Sequence, residues 1–174
     1  ALRGSVSRTR ATVRERTGRE EPFPDEDLSG TVAQELVAVS DLRIESTAED
    51  VERAAGAGEY ATAAVEAGTA LAEIEAYRAA VREIRDGEHR DVPSESSVRS
   101  AADRAGTAVA EAVEGGGPLT TRLVRPAVET VGYVTDRIEE GYGSVRRTQA
   151  ELTYAALYAR AVPAATEFVR DRLA

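Results

Sequence analysis

Between Tyr60 and Ile84 the apolar side chains return every third or fourth residue: Tyr60, Ala64, Ala67, Leu71, Ile74, Tyr77, Val81 and Ile84. A half-buried strand would alternate instead, so this seam of about seven turns reads as one long helix with a continuous buried face. A face of that length packs against other helices at a shallow angle. The rest of the chain repeats the theme. Leu28, Val32, Leu36, Val39 and Leu42 predict a helix over 26–45 with Asp25 as its cap. Ser46 and Glu49 then read as a capping box that opens a separate short helix through Ala55, before a turn at Gly56 and Gly58. Val98, Ala102, Ala105, Val109 and Ala112 predict a helix over 95–114, capped by Ser94 or Ser96 and lined with small residues that let a neighbour approach closely.

Gly115-Gly116-Gly117-Pro118 stops that helix and starts another, with proline tolerated at the first helical position. Helical spacing continues to the C-terminus with three interruptions: Pro126, the Gly141–Gly143 stretch and Pro163. Each proline is expected to bend its helix, and Gly141–Gly143 to make a turn. From Leu152 to Ala165 the segment is apolar on most sides, which puts it at the centre of a bundle or in an oligomer interface. Near the start, Leu2, Val6 and Val13 mark a thin stripe for a helix over 3–17, ended by the Gly18–Pro24 stretch. The expected architecture is therefore all-α: a single domain over 1–174, folded as one up-and-down bundle of about five or six helices, with residues 1–24 as a basic arm.

Charge and composition narrow the function. The chain has 31 acidic and 22 basic residues, and every basic residue is Arg. A GC-rich genome accounts for missing Lys and Asn, but the net charge of −9 needs another cause. An acidic surface over an Ala- and Val-rich interior suits a cytosol of molar salt, where the Debye length falls to about 3 Å and carboxylate repulsion is screened. The expected source is an extreme halophile, and an ordinary acidic bacterial protein is the alternative. Cysteine is absent, which removes disulfides, thiolate nucleophiles and cysteine metal sites together. Residues 1–20 lack the apolar core of a signal peptide, and the longest weakly polar stretch, Ala155–Ala165, contains Arg160 and Pro163. A cytoplasmic protein with no membrane contact is expected.

The charge is unevenly placed. Residues 1–20 hold six Arg against Glu15 and Glu20, an excess of four, so the remaining 154 residues carry −13. Arg3, Arg8, Arg10 and Arg14 are the candidate nucleic-acid contacts of this arm, or they lie on the chain's own acidic surface.

Two short stretches resemble known families. Gly58-Glu59-Tyr60 with Ala63, Ala67 and Ala70 resembles the second helix of a tetratricopeptide repeat, although no 34-residue period follows, the closing Pro is missing, and a generic helix turn with tight packing is the preferred reading. Arg82 and His89, with six residues between them, resemble the active-site motif of HEPN-family ribonucleases, which are small helical bundles. The resemblance implies that His89 moves a proton while Arg82 holds a phosphate. The plainer reading is an exposed loop histidine. The acidic pairs Glu20/Glu21, Glu49/Asp50 and Glu139/Glu140 are sequence neighbours that diverge on a helix, so no metal site is expected, and no cofactor or catalytic residue is assigned.

Tyr154 and Tyr158 share a helix face with Leu157 and Ala161 close by, and these four are the candidate interface. The leading expectation is a non-enzymatic helical interaction or scaffold protein, binding a protein partner or itself as a homodimer. RNA binding or HEPN-like cleavage through the Arg-rich arm and Arg82/His89 is the alternative, and whether the chain is an enzyme at all stays open.

Overall fold

The computed structural model describes residue 23 and residues 26–139 and 144–174. Among these there are five helices and no strand: α1 (Val32–Gly56), α2 (Tyr60–Arg85), α3 (Glu95–Glu114), α4 (Pro118–Glu139) and α5 (Val145–Leu173). The fold is the all-α bundle that the apolar spacing predicts. The helix expected over 3–17, the Asp25 cap and the Gly141–Gly143 turn lie outside the described residues.

The first hairpin corrects two expectations. α1 starts at Val32 because Gly30 takes a left-handed φ of 78° that breaks the chain just before it. Thr31 is the cap: its hydroxyl accepts from Gln34 N at 3.4 Å and donates to Leu28 O at 2.7 Å, while Gln34 Oε1 accepts from Gly30 N at 3.1 Å. The capping box at Ser46 does not open a new helix. α1 runs unbroken to Gly56, because Ile44, Thr47, Val51 and Ala54 carry its buried face past that point and against α2. Burial of a whole face outweighs a local cap of about 1 kcal/mol. The same shift explains Leu42, expected in the core but 61% exposed: after Val39 the buried face moves to Ser40 and Ile44.

α2 ends, α3 starts and α4 starts where predicted. Ser94 and Ser97 form a reciprocal capping box, with Ser94 Oγ accepting from Ser97 N at 3.2 Å and Ser97 Oγ accepting from Ser94 N at 2.8 Å. Pro126 and Pro163 do not end their helices: α4 and α5 extend on both sides of them, although a proline nitrogen carries no hydrogen to donate to the helix. At Pro126 the carbonyl gains a partner from the Thr130 hydroxyl, 2.8 Å away.

α5 is the centre. It packs against all four other helices, with the α1–α2 hairpin and the α3–α4 hairpin each against it and little contact between the two. Leu152, Ala155, Leu157, Ala159, Val162, Ala165 and Val169 are buried around its circumference. Its start is clamped to α1, where Glu35 receives Arg146 Nη2 at 3.2 Å and Arg147 Nη1 at 3.4 Å. Its far half presses on α2 at Gly68, where a Cβ would run into Val169 Cγ2 and stand 3.6 Å from the Ala165 carbonyl oxygen.

That close approach yields a test. Ala is the better helix former by about 1 kcal/mol, yet valine is stiff at χ1, so the Val169 methyl group has no easy way to move aside. Gly68→Ala is expected to destabilise the protein by about 1–3 kcal/mol, as overpacking does. Urea unfolding in molar KCl measures it, and a neutral or stabilising substitution would show that α2 and α5 stand farther apart.

Candidate functional site

Two polar centres stand out, and neither is the one the motifs suggest. The first is sealed inside the bundle. α2 buries Glu73, only 3% exposed, between α1 and α5. The Thr47 hydroxyl bonds to its carboxyl group, the Arg43 charge acts on it, and its Oε2 has no hydrogen-bond partner. Facing it from α5 are Tyr154 and Tyr158, with ring centroids 6.2 Å apart. Tyr158 donates to the Leu123 carbonyl at 2.7 Å, whereas the buried Tyr154 hydroxyl has no partner. Arg43 reaches on to Thr130 Oγ1 of α4 at 3.4 Å, so side chains from four helices meet in this region.

Burial is the chief cause that pushes the Glu73 carboxyl up to about 8. The Thr47 bond and Arg43 pull it back, and Glu66 and Asp50 add to the rise. Burial likewise lifts Tyr154 well above the usual phenol range. At neutral pH the Glu73 carboxyl therefore keeps its proton beside two neutral phenols, with the Arg43 guanidinium the one charge close by, so the acid is held as structure rather than as an ionised base.

The second centre is at the end of α2. The chain leaves the helix through Gly87 (φ 94°) and His89 (φ 65°), and the His89 carbonyl accepts from Ala33 N of α1 at 3.0 Å. This turns the imidazole inward: its side chain is 4% exposed and Nε2 lies 2.7 Å from Glu83 Oε2. The hydrogen bond from His89 is the main reason that the Glu83 carboxyl is held below its ordinary value. Donor atoms of Glu83, Glu88 and His89 all lie within 4.8 Å of one another. Arg82, the expected partner of His89, is exposed and makes no hydrogen bond or ion pair to it.

The remaining expected residues fall as follows. Tyr154, Leu157 and Tyr158 are buried and Ala161 is half-buried, all on the central helix, so three of the four candidate interface side chains spend their surface within the chain. Arg3, Arg8, Arg10 and Arg14 lie outside the described residues. Sequence reasoning missed Glu73 because a glutamate inside an Ala-rich helix reads as a surface residue. The one available signal was its position, one residue before Ile74 of the seam and among small residues on both sides. An open cleft of about 420 Å³ also lies where α1 meets α2, lined by Asp50, Arg53, Glu59, Thr62 and Glu66 among others; Asp50 and Arg53 pair at 2.6 Å.

These features define an all-α bundle with polar groups locked in its core, and among the described residues no helix is long and apolar enough to cross a membrane. The chain belongs to the family described as a domain of unknown function, DUF8264, whose model matches residues 1–171. No curated protein and no solved structure matches it.

The buried acid sets a pH dependence. Unfolded, Glu73 titrates near 4.5; folded, it holds its proton up to about 8. Its contribution to stability is thus fullest below the lower value and is lost as pH rises through the higher one. Glu73→Gln keeps the shape and removes the titration, so at pH 9 the variant is expected to exceed the wild type by a few kcal/mol, with the difference shrinking toward pH 5. Urea midpoints across that range test this, and a difference independent of pH would refute the assignment.

Proposed function

We propose that this chain is a non-enzymatic helical interaction module, acidic and adapted to salt, that associates with a second copy of itself through the outer faces of α3 and α4. The reading rests chiefly on two glycines. Gly106 in α3 and Gly132 in α4 lie mid-helix and exposed, and among the described residues no atom beyond the helix's own nearby backbone comes within 4 Å of where either Cβ would stand. Neither has the left-handed φ that would call for glycine. A mid-helix glycine costs roughly 1 kcal/mol relative to alanine, and nothing described within the bundle requires it. Close approach of another backbone from outside does.

The neighbourhood suits that role. Ser100, Thr107 and Ala110 are exposed small residues on α3, and Val113, Val128 and Tyr133 are large apolar side chains 41%, 45% and 58% exposed on α3 and α4. Small residues flanked by a few apolar anchors allow helix-on-helix packing with little side-chain entropy lost. An interface through Tyr154, Leu157 and Tyr158 would require the bundle to open, whereas one through the α3–α4 hairpin requires no rearrangement. A cytoplasmic setting and a halophilic source follow from the composition and are part of this proposal. The RNA-cleaving alternative has the burial of His89 against Glu83, and the outward position of Arg82, against it.

Gly106→Ala and Gly132→Ala are expected to raise unfolding stability by up to about 1 kcal/mol each while weakening self-association. Gly106→Leu should abolish it. Light scattering and sedimentation in molar KCl separate the two effects. A wild type that stays monomeric across micromolar to millimolar concentration, or an association that Gly106→Leu leaves intact, would overturn the proposal.

A further inference from the structure

We propose that Glu83, Glu88 and His89 form a binding site for a divalent transition-metal ion, of the zinc type, that ties the end of α2 to the start of α1. The three residues supply an imidazole nitrogen and two carboxylate oxygens, and the donor atoms lie within 4.8 Å of one another. Two of them, His89 Nε2 and Glu83 Oε2, are already 2.7 Å apart. Zinc–ligand bonds of about 2.0–2.2 Å in a tetrahedral site place donors roughly 3.4 Å apart. The His–Glu pair therefore opens slightly and Glu88, exposed and free to turn its side chain, closes in from the solvent side.

The local backbone is arranged for this. Glu88 N donates to the Glu83 carbonyl at 2.9 Å, which folds the loop back over the last turn of α2 and brings the second carboxylate beside the first. The C-terminal end of a helix carries partial negative charge, which favours a cation there. The imidazole, anchored through its own carbonyl to Ala33 N, is the only histidine in the chain. Two carboxylates neutralise a divalent ion. The imidazole selects zinc, cobalt or nickel over the hard cations magnesium and calcium, which prefer an all-oxygen shell. Three protein ligands leave a fourth position to water. Because His89 is bonded to α1 and Glu83 belongs to α2, the ion links the two helices of the first hairpin.

The test uses the full chain stripped with a chelator and titrated with zinc chloride in molar KCl. One saturable site per chain is expected, with a rise of several degrees in the thermal midpoint, as for any ligand that binds only the folded state. Cobalt chloride should give the intense visible absorption of a tetrahedral site. Glu88→Gln, an exposed change with no folding role in the structure, should weaken zinc binding about tenfold or more, and His89→Ala should remove it. Magnesium and calcium at the same concentration should give no saturable site. Absence of a saturable zinc site overturns the proposal. So does binding that survives undiminished in both Glu88→Gln and His89→Ala, which would mark general attraction to an acidic surface. If His89→Ala fails to fold, the Glu88→Gln titration decides.

Discussion

The architecture depends on the middle of α5, residues 148–159, where nearly every side chain is buried and no outward face is left. A helix apolar on all sides cannot rest on a partner at one flank; it must be surrounded. The chain meets that demand with two hairpins, α1–α2 and α3–α4, laid against the same central helix. The surrounding helices present small residues to it: Ala72, Ala76 and Ala80 from α2, and Ala101, Ala105, Ala108 and Ala112 from α3. Small contact residues shorten the distance between helix axes, so the core is thin and depends on fit more than on bulk. Gly68 against Val169 leaves no room for even one added carbon.

Much of this was legible in the residues. The Tyr60–Ile84 seam, the Ser94 cap, the Gly115–Pro118 break and the all-round apolarity of residues 152–165 are local signals that tertiary packing reinforces, and each appears in the bundle at its expected place. The failures share a cause. Ser46 and Glu49 carry a start signal, but the stripe of Ile44, Thr47, Val51 and Ala54 spans it, and the energy of burying that stripe against α2 exceeds the energy of a cap. Leu42 looked like core because spacing alone cannot tell which of two adjacent stripes a partner helix will cover. Both prolines sit inside helices whose bounds run well past them, so neither ends its helix.

The polar centres were the least legible because they are made by elements distant in sequence. Glu73 is buried only because α1 closes over one side of α2 and α5 over the other, and its company of Thr47, Arg43, Tyr154 and Tyr158 comes from those two helices. Glu83, Glu88 and His89 are close in sequence, but the left-handed turn through Gly87 and His89 is what folds the imidazole back upon the helix it has just left. No spacing rule for a continuous helix contains that turn, and none pairs Arg82 with His89 across it.

The Glu35 clamp has a consequence for how this molecule responds to added salt. Its carboxylate side chain is 21% exposed and is shared by two guanidinium groups from the next-door helix, whereas an outer pair such as Arg99 with Glu95 stands 82% and 88% exposed. Dissolved ions screen the outer pair almost completely at molar concentration, and they weaken the Glu35 pairs less, because Glu35 is mostly buried and Arg146 and Arg147 are 35% and 38% exposed. Attraction is thus sorted by depth: rising ionic strength mutes the periphery and leaves the fastening between the first and last helices in force.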